Sequence, residues 1–229
     1  MFDALFTTTT EYKKLSHALS GKGACALFGL PASGRAQVYA ALCRQLDKPL
    51  CIVTPGEAEA TRFAADLNTL GIPTAVFPAR DYVLRPIEGT AREYEYRRLA
   101  VLGELVGGRL RAVAVPAEAL TQFTTPKEDF CANTRTLHAG DTLLRDDLLA
   151  ALFGAGYTRR AQVDGPGQFS VRGDIVDIFA PDQKMPVRME FWGDEIDTLH
   201  TFDLTTQRRE DAIDKFYLSP AREVLFGKP

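Results

Sequence analysis

The feature that most constrains the fold is a change of pattern near residue 126. Before that point, short apolar runs alternate with stretches whose apolar residues recur at helical spacing. After it, short strand-like runs follow one another, separated by turns that contain Gly, Pro or Asp. The first pattern is typical of a parallel sheet covered by helices, and the second of an antiparallel sheet. The sequence therefore predicts an α/β unit with a parallel sheet, followed by a small α+β unit.

Short apolar runs predict the buried strands of the first part, at residues 24–28, 50–53, 75–77 and 112–115. Helices are predicted between them, at residues 35–46, 57–70 and 90–106. The last of these helices has an apolar stripe formed by Leu99, Leu102 and Val106. The neighbouring Arg97-Arg98 pair is expected on a solvated face.

The second part begins with a predicted helix at residues 145–153, in which Leu148 and Leu152 face inward. Consecutive strands follow, at residues 168–171, 174–179, 187–191 and 196–202. The predicted domain limits are 1–126 for the first domain, 127–217 for the second, and 218–229 for the start of a segment that returns to the first.

Composition restricts the class of partner. The 229 residues carry a formal net charge of −3 and a pI of about 5.7, whereas a duplex-binding domain is usually basic. The four cysteines (Cys25, Cys43, Cys51 and Cys131) form no CxxC pair, and the three histidines are scattered, so we expect reduced cysteines, no metal and no cofactor. No apolar run approaches the roughly 20 residues of a membrane helix, and the first residues lack the apolar core of a signal peptide. We expect a cytoplasmic protein with no membrane partner.

A glycine frame, Gly29 to Gly34, follows the first predicted strand and precedes a helix. This is the setting of a P-loop, in which a Lys reaches the phosphates and the next residue, Ser or Thr, holds Mg²⁺. Those two positions are Arg35 and Ala36 here, and the strand at 112–115 is not followed at once by an acidic residue. The sequence predicts an inactive nucleotide loop that survives as a structural turn. Residual nucleotide binding is the alternative.

Two segments of the second part carry a specific pattern, GQFSVRGDIVDIF at residues 167–179 and PVRMEFWGDEID at residues 186–197. Together they resemble a pair of strand motifs shared by UvrB and the bacterial transcription-repair coupling factors. Gly156-Tyr157 upstream and the LSPA sequence at 218–221 downstream fit the same families. The resemblance covers nearly the whole chain and is strongest from residue 157 to residue 220.

Two departures distinguish these families. UvrB keeps an intact P-loop, and it carries a long aromatic hairpin where this chain has only residues 81–91, with Tyr82 as the aromatic that could serve such a hairpin. The chain therefore resembles the N-terminal, UvrB-like module of the coupling factors. That resemblance implies a degenerate RecA-like first domain without ATPase activity and a second domain that binds UvrA. It also implies that RNA polymerase and DNA are partners through other domains, and that the module recruits UvrA to stalled RNA polymerase in transcription-coupled nucleotide excision repair.

By motif, the contact residues of the family fall on Arg172, Arg188 and Trp192, although the family usually has Phe at the last position. Residues two or four apart on a strand share a face, so Arg188 and Trp192 should point away from a core built by Val187, Met189 and Phe191. Arg and Trp are enriched among interface anchors. In the alternative interpretation, Trp192 packs against its own domain and both arginines pair with neighbouring acidic residues, namely Asp174, Asp177 or Glu190.

Two rival functions remain from the sequence. An ATP-dependent DNA translocase fragment of the UvrB type would bind Mg²⁺ and ATP, which requires the Lys and Ser/Thr that Arg35 and Ala36 replace. A DNA-binding scaffold would bind nucleic acid with a steep dependence on salt.

Overall fold

The structure is a computed structural model of the 229-residue chain. It describes residues 7–21, 24–46, 48–80 and 90–224, and only the backbone at 32–33 and 90–91. The internal contacts divide the chain into two compact units. Unit 1 comprises Met1–Ala79 and Gly107–Gln122, and unit 2 comprises Arg80–Val106 and Phe123–Pro229.

The helices in chain order are α1 Thr10–Ser20, α2 Ala32–Gln45, α3 Glu57–Thr69, α4 Thr90–Val106, α5 Ala117–Leu120, α6 Lys127–Ala132 and α7 Arg145–Gly154. The strands are β1 Leu50–Thr54, β2 Thr74–Val76, β3 Ala112–Pro116, β4 Arg135–His138, β5 Thr158–Arg159, β6 Gln168–Arg172, β7 Ile175–Phe179, β8 Val187–Trp192, β9 Glu195–Phe202, β10 Arg209–Ala212 and β11 Lys215–Leu218.

Unit 1 is built on a parallel sheet with the strand order β1-β3-β2. The central strand β3 is buried along its whole length, which is why it reads in the sequence as an uninterrupted apolar run. Helix α3 packs its buried residues onto this sheet, with Phe63 and Leu67 in the same core as Ile52. The parallel α/β character predicted for the first part is confirmed in these strands.

The predicted strand at residues 24–28 is wrong. These residues have no regular structure and are exposed, with Phe28 at 88% of its full accessibility. An apolar run forms a strand only where a neighbouring backbone pairs with it. Three of the five residues are Ala or Cys, so little apolar area favours burial of this segment.

Unit 2 contains a six-stranded sheet with the order β10-β9-β8-β7-β6-β5 and a two-stranded sheet formed by β4 and β11. Neighbouring strands are antiparallel except β5 and β6. The four strands predicted in this part correspond to β6–β9, and the predicted antiparallel sheet is confirmed. Helix α7 covers the inner face of the sheet, where Leu148 and Leu152 are fully buried as predicted.

Helix α4 departs from the prediction at one residue. Arg98 is fully buried instead of solvated, because Glu223 from the last described segment meets it inside unit 2. The Arg98 Nε donates to both Glu223 carboxylate oxygens at 2.9 Å, and its Nη2 donates to Oε1 at 2.8 Å. The internal contacts group residues 80–106 with unit 2, and the domain limits at residues 126 and 217 stay a prediction.

The described residues can also be searched for membrane helices, metal clusters and paired cysteines. Within the described ranges, no helix is long and apolar enough to cross a membrane, and the described His, Cys, Asp and Glu side chains form no cluster that could hold a metal ion. The four cysteines are free thiols, of which Cys43 is buried. Residues 81–89, with Tyr82, and residues 225–229 at the end of the predicted return segment lie outside the described part of the chain.

Candidate functional site

One surface of the six-stranded sheet faces away from the core of unit 2. We call it the outer face, and its central residues are Ser170, Arg172, Ile175, Asp177, Arg188, Glu190, Trp192, Thr198 and His200. On β8 the burial alternates as the sequence predicts. Val187, Met189 and Phe191 are buried in the core, and the residues between them belong to the outer face.

Two equivalent turns set the positions of Arg172 and Trp192. Each residue ends a strand and is followed by Gly-Asp, at 173–174 after β6 and at 193–194 after β8. Both glycines have positive φ, +58° at Gly173 and +63° at Gly193, which a type II′ hairpin turn requires at its first central residue. Strands β6 to β9 are successive antiparallel neighbours. The β6–β7 turn and the β8–β9 turn therefore lie at the same end of the sheet. Arg172 and Trp192 therefore lie on the same rim of the outer face.

Trp192 is exposed at 83% of its full accessibility. A β-bulge interrupts the pairing of β8 and β9 after Glu190, and its extra residue is Asp197 of β9. Strand β8 itself therefore continues regularly to Trp192. The indole thus extends from an ordered strand into solvent and is not packed into the core of unit 2. A large aromatic side chain in this situation offers substantial apolar area to a partner.

Arg188 occupies a closed socket, and its side chain is only 13% exposed. Its Nε and Nη2 donate to the two carboxylate oxygens of Asp177 at 2.7 and 2.9 Å. Its Nη1 donates to the carbonyl of Gln207 at 3.2 Å, and its guanidinium lies 4.8 Å from the centre of the Phe202 ring. The hydrogen bond to Asp177 is the main cause of a raised pKa for Arg188. Arg188 is consequently fixed and charged.

Arg172 is the more accessible arginine, with 46% of its side chain exposed. Its Nη2 donates to Asp177 Oδ2 at 2.6 Å. Asp177 itself has a fully buried side chain. Both arginines therefore pair with one carboxylate, as the alternative interpretation allowed, but this carboxylate is buried and Arg172 still presents much of its surface to solvent.

A second group of charges borders the outer face. Arg209 of β10 makes an ion pair with Glu190 at 3.0 Å, and its Nη1 lies 3.3 Å from His200 Nε2. Three arginines (Arg172, Arg188 and Arg209) thus meet two carboxylates (Asp177 and Glu190) in this cluster. A third carboxylate, that of Glu195, lies opposite Trp192 on the same face.

Comparison with known proteins places this geometry in a family. Residues 136–224 match a family model described as the UvrB interaction domain. The chain is 35% identical over 207 residues to the transcription-repair-coupling factor of Myxococcus xanthus, and 38% identical over 192 residues to that of Mycobacterium tuberculosis. These alignments cover 86% and 80% of this chain. The chain is therefore similar to a UvrB-like part of the transcription-repair-coupling factors.

The chain spans only 17% and 15% of the length of these two coupling factors. The UvrABC system protein B of Chlorobium limicola is also similar, at 28% identity over 217 residues, which cover 88% of this chain and 32% of that protein. The chain is therefore also similar to UvrB over most of its length.

The second half of the glycine frame, residues 32–34, is helical. Gly29 has a φ of +82°, but α2 already begins at Ala32, so the Arg35 N–H donates to the Pro31 carbonyl at 3.1 Å. The Arg35 guanidinium lies 3.8 Å from Glu59 and 5.9 Å from the centre of the Phe63 ring. Ala36 is buried. The guanidinium and the backbone N–H of Arg35 and the side chain of Ala36 thus all make contacts within unit 1.

Sequence reasoning missed three residues that shape the outer face: Phe202, Gln207 and Arg209. Phe202 reads as an ordinary strand residue, and Arg209 lies in a strand whose four residues are all exposed, so neither carries an alternation signal. Gln207 contributes through its backbone carbonyl at a positive φ of 57°, which no side-chain pattern reveals.

Proposed function

We propose that the outer face of unit 2 docks UvrA, and that this chain acts as a UvrB-mimicking module of a transcription-repair-coupling factor in nucleotide excision repair. The observation that carries the proposal is the solvent-exposed indole of Trp192 on the same rim as the half-exposed guanidinium of Arg172. Trp and Arg dominate the energetic centres of protein interfaces, because each combines contact area with a polar or charged group.

UvrA is proposed as the partner because the chain resembles UvrB in the segment that matches the UvrB interaction domain. Arg172 and Trp192 supply the accessible contacts in this proposal. Arg188 supplies a fixed positive charge beside them. Recruitment of UvrA to stalled RNA polymerase, and contact with RNA polymerase and DNA, are proposed to involve parts of the coupling factors that this chain does not span.

We also propose that unit 1 is a degenerate RecA-like domain without catalytic activity. Its parallel sheet with packed helices is compatible with that class. The replacement of the catalytic Lys and Ser/Thr by Arg35 and Ala36 removes the phosphate cation and the Mg²⁺ ligand on which nucleotide hydrolysis depends. In this proposal unit 1 serves as a scaffold.

The docking proposal is tested by calorimetric titration of the purified chain with UvrA. Arg172→Ala and Trp192→Ala should each weaken binding about thirtyfold, which corresponds to about 2 kcal/mol for an interface anchor. Trp192→Phe should retain most of the affinity, because the phenyl ring keeps much of the apolar contact area.

The matched control is Arg135→Ala, which removes another exposed arginine of unit 2, from β4 in the two-stranded sheet. This variant should bind UvrA like the parent chain. The docking proposal fails if folded Arg172→Ala and Trp192→Ala variants also bind like the parent, or if the parent does not bind UvrA.

A further inference from the structure

The outer face contains a buried charge that no proposed contact with a partner uses. Asp177 lies in the middle of β7, and its side chain is fully buried. We propose that Asp177 is a positioning residue of the docking face, and that its carboxylate holds the guanidinium groups of Arg172 and Arg188 in place before a partner arrives. This inference rests on the function proposed above.

The hydrogen bonds of Asp177 connect three neighbouring strands. Asp177 is in register with Arg188 across β7 and β8 and with Ser170 across β6 and β7. Its Oδ1 accepts from Arg188 Nε at 2.7 Å. Its Oδ2 accepts from Arg188 Nη2 at 2.9 Å and from Arg172 Nη2 at 2.6 Å. One carboxylate oxygen is therefore shared by both arginines.

A charged group is needed at this position for electrostatic reasons. Two guanidinium groups that approach the same point repel each other, and the carboxylate between them offsets this repulsion. A buried carboxylate in turn is tolerated only when it is paired and hydrogen-bonded. The three side chains thus depend on one another, and removing the charge of Asp177 weakens the restraint on both arginines.

The two arginines are held to different degrees. Arg188 is also fixed by Phe202 and by the Gln207 carbonyl, so it keeps part of its restraint without Asp177. The Arg172 guanidinium is held by its hydrogen bond to Asp177. The orientation of Arg172, which is the more exposed group, is therefore the property that Asp177 controls.

Restraint of a long side chain before binding reduces the entropy lost on association. Asp177→Asn keeps the shape of the side chain and removes its charge. We expect this variant to weaken UvrA binding about tenfold through loss of pre-organisation and of charge pairing. Since Asp177 acts through Arg172, the same substitution in an Arg172→Ala background should weaken binding by about twofold or less.

The control is Glu223→Gln, which neutralises another fully buried carboxylate that is paired with an arginine of unit 2, Arg98. It should lower stability while the folded protein binds UvrA like the parent. The inference is overturned if Asp177→Asn binds like the parent, or if its loss simply adds to that of Arg172→Ala, because additivity would indicate a general effect on the fold.

A measurement without UvrA keeps the inference testable if Asp177→Asn does not fold, and separates its failure from that of the docking proposal. In the parent chain labelled with ¹⁵N-arginine, restricted rotation should give Arg172 and Arg188 resolved Nη–H signals in the NMR spectrum. The exposed Arg135 provides the comparison. If the Arg172 guanidinium rotates as freely as that of Arg135, Asp177 does not position it, whether or not UvrA binds.

Discussion

At the residue scale, Arg172 and Arg188 illustrate how two identical side chains acquire different roles. Both donate to Asp177, but 46% of the Arg172 side chain is exposed and only 13% of the Arg188 side chain. Arg172 is half-exposed, so screening by water and the ordering of its long side chain reduce the contribution of its ion pair to stability. Loss of a partner from a buried charge is costly, because the remaining charge stays desolvated. Arg188 should therefore contribute more to the free energy of unfolding than Arg172 does.

Substitution of each arginine by alanine tests this difference. Arg188→Ala should lower the free energy of unfolding by about 3–5 kcal/mol, because it removes two of the three arginine donors of buried Asp177. Arg172→Ala should lower it by about 1 kcal/mol or less. Urea unfolding followed by circular dichroism measures both values. Equal losses would contradict the socket described for Arg188.

The pH dependence of the Arg188 contribution follows from the direction of its pKa shift. The hydrogen bond to Asp177 raises the pKa of Arg188 above its ordinary value. A raised pKa in the folded state gives a contribution that is complete below the unfolded pKa, which for arginine lies well above the mildly alkaline range. The difference between Arg188→Ala and the parent should therefore not diminish as the pH rises from neutral to mildly alkaline.

At the scale of elements, a buried ion cluster attaches α4 to the last described segment of unit 2. Besides Arg98, the Glu223 carboxylate pairs with Arg80 at 2.9 Å. The Glu223 backbone is held as well, since its N–H donates to Glu95 at 2.9 Å and its carbonyl accepts from the Thr125 hydroxyl. Segments around residues 80, 95–98 and 125 thus all contact Glu223.

Glu223→Gln should lower the free energy of unfolding by about 3 kcal/mol, because Arg98 would remain buried without a counter-charge. The double variant Arg98→Met, Glu223→Leu should recover part of this loss, since apolar residues can replace a buried ion pair. Urea denaturation compares the three proteins. A double variant less stable than Glu223→Gln would contradict the explanation.

Helix α2 provides the second prediction at this scale. Its first turn uses the Arg35 N–H in an internal hydrogen bond, and Arg35 faces Glu59. We expect the chain to show no Mg²⁺-dependent ATP binding in the micromolar range, because both the phosphate cation and the metal ligand of a P-loop are absent. Equilibrium dialysis with ATP and Mg²⁺, with an intact P-loop ATPase as the positive control, tests this. Saturable binding would favour the rival interpretation of an ATP-dependent translocase fragment.

At the scale of the whole molecule, the net charge and the arrangement of charges on one face give different information. The chain carries a formal net charge of −3, but three arginines and the carboxylates of Asp177 and Glu190 meet on the outer face of unit 2. Composition therefore argues against general affinity for nucleic acid. It does not describe the surface on which Arg172, Arg188 and Arg209 converge, because that convergence depends on which strands are neighbours in the sheet.

The two units differ in how well their sequences predict them. Strands β6–β9 were predicted because each has several alternating residues between turn signals. Strands β4, β5, β10 and β11 are missing from the prediction. Strand β5 has only two residues, and β10 has no buried position. The run at 24–28 was predicted as a strand on composition alone, and no described strand pairs with it.

The amino-acid sequence alone is enough to predict the change from a parallel to an antiparallel sheet, the absence of Lys and Ser/Thr at positions 35 and 36, and the face on which Arg188 and Trp192 lie. These properties follow from local periodicity and from the chemistry of single side chains. Only the tertiary structure decided that one buried carboxylate, Asp177, serves two arginines, and that Arg98 is buried against a residue 125 positions away. Such pairings depend on strand register and on the packing of distant segments, and long-range contacts of this kind leave no periodic trace in the sequence.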